Sequence, residues 1–263
     1  MRTQTFFCGA LAALLFLCTG CGTPHAEIPS PTPSAQPPAV SAPAVTPTPA
    51  APPEPAPQPV PTEEVPGITT YTLDLETAVN NRTLTLRLHG RIDTTDGFER
   101  IGIRAVDVLE GNILLQTLSV QDAFDALYTQ EGLDGMPAEP WTQCWTKDGA
   151  LTTEDLNFDG YPDIRLMGTA GTVNITYLCW LWDAQAGQFD YAFSLLGYDV
   201  RVDSVAQQLI TQYRDGYGQY YTDYYRYDNE SKTLLLMKQV LEDMVNQTTT
   251  VHELVDGIWT QTG

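Results

Sequence analysis

Asp155, Asn157, Asp159, Tyr161 and Asp163 stand at every second position around a glycine, in the run Asp155-Leu156-Asn157-Phe158-Asp159-Gly160-Tyr161-Pro162-Asp163. This D-x-N-x-D-G-x-x-D spacing aims hard oxygen donors at one point. A hard cation such as Ca²⁺ takes six to eight oxygens at about 2.3–2.6 Å. Asp155, Asn157 and Asp159 would supply side-chain ligands and Tyr161 its carbonyl, while Asp163 would close the shell directly or through water. Gly160 allows the sharp turn that a Cβ would resist. Mg²⁺ suits the run less well, because it demands strict octahedral geometry and keeps its waters. The competing reading is an acidic turn, since Asp, Asn and Gly favour turns for backbone reasons alone.

The elements holding such a loop should be strands. The EF-hand pattern ends in a bidentate Glu at its twelfth position; counted from Asp155, that position is Leu166. Pro162 opposes a helix there, and Ile164-Arg165-Leu166-Met167 alternates as a strand does. Similar alternation predicts strands at 69–75, 83–88, 101–109, 112–120, 173–183 and 188–195. Strands are also expected at 142–146, 218–228 and 232–241, with one final strand within 248–259. Helix is expected in short pieces at 121–129 and 203–211. The fold class that follows is mainly antiparallel β with one or two short helices.

The ends of the sequence speak to location. Arg2 and the apolar run from Phe6 to Leu17 read as a signal peptide, too short to span a bilayer as a stable helix. Leu17-Cys18-Thr19-Gly20-Cys21 resembles a lipoprotein processing site, with Cys21 as the lipidated residue of 1–21. Lipid on Cys21 would hold the protein on the bacterial cell membrane, facing outside or the periplasm. Residues 22–66 hold most of the 19 prolines and read as a disordered spacer. Residues 67–263 suffice for one domain of ordinary size.

The formal net charge is −20, from 33 acidic and 13 basic residues, which disfavours nucleic acid as a partner. Cys144 and Cys179 bracket the acidic loop. In an oxidising compartment they could form one disulfide, and buried free thiols fit the spacing equally well.

Three stretches together carry a resemblance: DLNFDGYPDI at 155–164, Y-x-C-W-L-W-D at 177–183 leading to G-Q-F at 187–189, and Y-Y-x-D-Y-Y-R-Y at 220–227. Behind an export signal and a low-complexity spacer, they resemble bacterial surface and periplasmic proteins akin to the invertebrate-type lysozyme inhibitors and to the lipoproteins that give immunity to secreted peptidoglycan hydrolases. The resemblance covers roughly 140–240. It implies a compact β-propeller-like (or β-sandwich) domain with one calcium loop, formed by Asp155, Asn157, Asp159, Tyr161 and Asp163. It also implies a peptidoglycan hydrolase as partner.

Catalytic signatures are missing from the sequence. There is no G-x-S-x-G, H-E-x-x-H, P-loop or dinucleotide turn. His89 and His252 are far apart in sequence and read as surface or partly satisfied residues. Aromatic residues offer another route to binding. Tyr213, Tyr217, Tyr220, Tyr221, Tyr224, Tyr225 and Tyr227, with Trp141, Trp145, Trp180 and Trp182, suit a glycan- or protein-binding face, or plain cross-strand packing. The expected function is therefore a lipid-anchored, calcium-binding surface module that is not an enzyme. Its partner is expected to be a cell-wall hydrolase or cell-wall glycan; an unrecognised hydrolase is the remaining alternative.

Overall fold

The computed structural model describes residues 66–133 and 140–263. The signal peptide, Cys21 and the spacer up to residue 65 lie outside the described residues. Three antiparallel sheets, each a meander in chain order, make up the described chain. Sheet 1 holds β1 (Ile68–Val79), β2 (Arg82–Asp93), β3 (Arg100–Glu110) and β4 (Ile113–Ser119). The single described helix, α1 (Val120–Gln130), follows. Sheet 2 holds β5 (Leu151–Glu154), β6 (Asp163–Ala170), β7 (Ile175–Asp183) and β8 (Gln188–Gly197). Sheet 3 holds β9 (Asp199–Asp203), β10 (Gln208–Arg214), β11 (Gln219–Asp228), β12 (Thr233–Asp243), β13 (Thr248–Val255) and β14 (Ile258–Gln261). The fold is thus mainly β and antiparallel, with one short helix, and no sheet closes into a barrel among the described residues.

Sheet 2 is the middle layer. Leu178, Trp180 and Trp182 on one face of β7 join Leu84, Leu86, Ile103, Val106 and Phe124 in a first core with sheet 1 and α1. Cys179 and Leu181 on the other face join Phe193, Leu195, Leu209 and Tyr227 in a second core with sheet 3. A strand buried on both faces loses the apolar–polar alternation of a half-buried one. Accordingly β7 reads Ile-Thr-Tyr-Leu-Cys-Trp-Leu-Trp-Asp, while β2 alternates Leu84, Leu86 and Leu88 against polar neighbours.

Amide side chains and one arginine stitch the layers where strand edges meet. Gln116 of β4 donates to the Phe189 carbonyl at 2.7 Å and accepts from the Phe189 N–H at 2.9 Å. Asn174 does the same for Arg214 of β10, at 2.8 and 3.0 Å. Each amide serves both backbone groups of one residue and satisfies an edge that burial would otherwise make costly. Arg165 donates to the Val200 carbonyl of sheet 3 at 3.1 Å, pairs with Glu154 at 2.9 Å and covers the Tyr177 ring at 5.3 Å.

Three sequence expectations are corrected. Residues 203–211 are a β-hairpin between β9 and β10 and contain no helix. Asp203 accepts from the backbone N–H groups of Val205 and Ala206, at 3.0 and 2.9 Å, as a helix N-cap would. The chain then reverses through Gln207, whose φ is 52°, and pairs with itself. The same device recurs after Asp183, Asp228 and Asp243, with Gly187, Lys232 and Gln247 at positive φ. Next, the strand ahead of the acidic loop is β5, whereas 142–146 makes only isolated bridges, Ile101 with Cys144 and Gln143 with Thr169. Finally, 248–259 splits into β13 and β14 at Asp256-Gly257, both at positive φ. The helix expected at 121–129 is α1, capped by Ser119 Oγ, which accepts from the Asp122 N–H at 3.2 Å.

Candidate metal loop and the faces around it

The acidic run joins β5 to β6 on the side of sheet 2 that faces sheet 3. Leu156 is fully buried in the second core, and Phe158, at φ 62°, packs against it. Asn229, in the β11–β12 turn, donates to the Asn157 carbonyl at 2.9 Å. Apolar anchors and a neighbouring sheet therefore fix the loop to the rest of the fold, and Asp155 and Asp159 accept only from amides within the loop.

Asp163 is the exception. Its side chain is fully buried, accepting from the Leu156 N–H at 2.7 Å and the Trp182 N–H at 2.8 Å. One carboxylate thus ties the loop to β7. Burial pushes its pKa up to about 7; the two backbone donors oppose the shift, and the nearby Asp159 and Asp155 charges add to it. That repulsion places the three carboxylates within reach of each other's fields.

The remaining donors curl onto the loop's own amides. Asp155 accepts from the N–H groups of Asp159 and Gly160, at 3.1 and 2.9 Å. Asn157 Oδ1 accepts from the Asp159 N–H at 3.2 Å, and its Nδ2 donates to Asp159 Oδ2 at 3.0 Å. Asp159 Oδ1 accepts from the Tyr161 N–H at 2.9 Å. Gly160 turns the chain at φ 91°. The donor set suits a hard cation chemically: carboxylates, an amide oxygen and a glycine at the turn. Its geometry is collapsed onto backbone amides, and among the described residues no three acidic, His or Cys side chains converge as a closed metal shell.

A cleft of about 590 Å³ opens beside the loop, lined among others by Asp159, Asp183, Tyr227, Asn229 and Lys232. The sequence alone gave no means of placing Asn229 or Lys232 against a loop some 70 residues away.

The other singled-out residues are dispersed. Cys144 and Cys179 are free thiols belonging to different cores, on opposite sides of sheet 2, so the structure holds the unbridged alternative. Cys144 contacts Thr142 Oγ1 at 3.0 Å, and burial raises its pKa to about 11. His89 sits on the outer face of sheet 1, 2.6 Å from Asp107, which also accepts from Thr117. Asp107 is its only side-chain partner among the described residues, so no nucleophile is poised on it. The aromatic set does not form one surface. Trp180 and Trp182 are core, and Trp141 lies under Arg91 at 4.4 Å. Tyr220 and Tyr224 project from the face of sheet 3 opposite to Tyr221, Tyr225 and Tyr227. No described helix is long and apolar enough to cross a membrane.

No protein-family model matches this chain, and no curated protein does. Among solved structures, it is similar to a Xanthomonas type IV secretion system related protein, at 14% identity over 74% of this chain and 99% of that one, with a TM-score of 0.47. A protein with unknown function from Bacteroides fragilis matches at 11% identity over 43% of this chain and 88% of that one, with a TM-score of 0.22.

Proposed function

We propose that this chain is a calcium-stabilised binding module, exported and held at the cell surface by lipid on Cys21, which acts by docking to a peptidoglycan hydrolase and catalyses no reaction itself. The observation that carries the calcium part is the mounting of the acidic loop. Leu156 and Phe158 hold its backbone in the second core and Asn157 is buried beside them, while Asp155 and Asp159 remain on its rim. Asp163 sits behind them, and burial together with the Asp159 and Asp155 charges makes it protonate more readily than an ordinary carboxylate, a shift that a positive charge would oppose. A bound Ca²⁺ would supply that charge, favour the ionised carboxylates and fix the β5–β6 connection. The hydrolase part rests on the resemblance of 155–164, 177–189 and 220–227 to lysozyme-inhibitor and immunity lipoproteins.

Calorimetric titration of the full chain with Ca²⁺, with melting curves in calcium and in EDTA, tests the first part. Saturation near one equivalent and a raised melting temperature are expected, and Asp159→Ala should abolish the calcium-dependent rise while changing little in EDTA. An Asp159→Ala variant equally destabilised in both buffers would reduce the loop to an acidic turn. For the second part, a stoichiometric complex with a muramidase that lowers its rate of wall lysis is expected; full muramidase activity at excess protein would remove the partner assignment. Cys21→Ala should move the protein from the membrane to the soluble fraction, and unchanged fractionation would refute the anchor.

A further inference from the structure

Sheet 3 is wider than the layer that covers it. The second core takes Val200 and Val202 of β9, Leu209 of β10, Tyr225 and Tyr227 of β11 and Leu234 at the start of β12. Strands β13 and β14 contribute to neither core. Past that contact, the inner face of the sheet runs on, and its side chains follow one pattern.

The strand registers place Thr211 opposite Asp223, Asp223 opposite Gln239, Gln239 opposite His252, and His252 opposite Gln261. Directly paired residues project to the same face. A single row of polar side chains therefore crosses five strands. It begins in the buried interior, where Thr211 and Asp223 are shielded, and emerges at half-buried Gln239 and His252 and exposed Gln261. Asp223 and Gln239, towards its buried end, are hydrogen-bonded into position. Gln239 Nε2 donates to Asp223 Oδ1 at 2.9 Å, and the Tyr225 hydroxyl donates to Asp223 Oδ2 at 2.9 Å.

Aromatic rings border the row on both sides. Tyr213 and Tyr221 stack at 4.9 Å with planes 5° apart, and Gln239 also reaches the Tyr213 hydroxyl at 3.3 Å. On the other side Trp259 lies parallel to His252, ring centres 6.2 Å apart, with 41% of its surface exposed. No Lys or Arg stands on this face of β10–β14; Arg214, Arg226 and Lys238 all have the opposite parity, and Lys238 is paired with Glu253 there.

We infer that this row is a binding track for a neutral, hydroxyl-rich oligosaccharide. Planar amide and imidazole groups that both donate and accept hydrogen bonds match sugar hydroxyls. The flanking Tyr and Trp rings offer flat apolar faces to the C–H side of a pyranose. The lack of basic side chains leaves nothing to hold a phosphate, sulfate or nucleic-acid backbone. At about 4.8 Å between strands, Gln239, His252 and Gln261 span roughly 10 Å, the reach of two linked sugar rings. The track is separate from the acidic loop and requires no cation.

The full chain, in EDTA, is titrated with chitotetraose and with cellotetraose, with a heparin tetrasaccharide as the anionic comparison. Saturable binding of at least one neutral tetrasaccharide is expected, with none of heparin. Trp259→Ala should weaken it tenfold or more with unchanged melting temperature, Gln239→Ala should weaken it as much while lowering the melting temperature because Asp223 loses a donor, and Tyr224→Ala, on the opposite face, should leave it intact. Failure of both neutral sugars to bind, preference for heparin, or binding indifferent to Trp259→Ala and Gln239→Ala would overturn the assignment.

Discussion

Sheets 2 and 3 are adjacent meanders of similar strands, yet they are stabilised in different ways. Sheet 2 has a core on each face, and its one fully buried carboxylate, Asp163, is held by backbone donors. Sheet 3 has a core against only its first strands; its buried carboxylate, Asp223, is held by the side chains Gln239 and Tyr225. The middle layer therefore derives its stability from tertiary packing. The outer half of sheet 3 derives its own from hairpin turns and cross-strand pairs, and neither core covers β13 and β14. Side chains outside a core can be replaced at little cost to stability, and those inside cannot.

The comparison breaks most directly in the second core. Phe193→Ala removes a ring packed on Tyr227 at 5.6 Å and should cost about 4 kcal/mol in chemical denaturation. A loss below about 1 kcal/mol would mean that sheets 2 and 3 do not share a well-packed core. Asp163→Ala strips the acceptor from two buried amides and should cost about 3 kcal/mol, in EDTA as well as in calcium. A loss seen only in calcium would make Asp163 a ligand first and a backbone tie second. Asp243→Ala, at the β12–β13 turn, should cost the least of the three, because only an exposed turn's amides lose their acceptor.

Asp223 sharpens the contrast through pH. Burial raises its pKa, while hydrogen bonds from Gln239, Tyr225 and Tyr213 only partly oppose the shift. The folded state thus favours its protonated form. The stability this contributes is complete below the unfolded-state value of 3.8 and is lost as pH rises through the higher folded-state value. Tyr213 and Tyr225 remain neutral through this range, because burial raises both phenols. Urea melts at a series of pH values should show wild type losing ground to Asp223→Asn as pH climbs from below 4. Parallel curves would show that Asp223 titrates as an exposed carboxylate does.

Much of the strand content was legible because a half-buried strand alternates; β2 declares itself through Leu84, Leu86 and Leu88. The hairpin at 203–208 was not, because Asp203 makes the same two hydrogen bonds at a turn as at a helix start. A sharper signal was present: an Asp followed four residues later by Gly, Gln or Lys at 183, 203, 228 and 243. The acidic loop was legible as a spacing, but its buried anchors were not. Leu156 and Phe158 are spacer positions in the motif, and only the second core shows that they carry the loop.

By itself, the sequence determined most of the strands, several of the turns and the oxygen donors around Gly160, because those depend on residues close along the chain, through period-two alternation, backbone sterics and local hydrogen bonds. Only the tertiary structure decided that Cys144 and Cys179 occupy different cores, that Asn229 grips the acidic loop, and that Thr211, Asp223, Gln239, His252 and Gln261 form one row. Each of those depends on register between separate strands. A one-residue slip would send every side chain of a strand to the other face, and the partner strand sets that register.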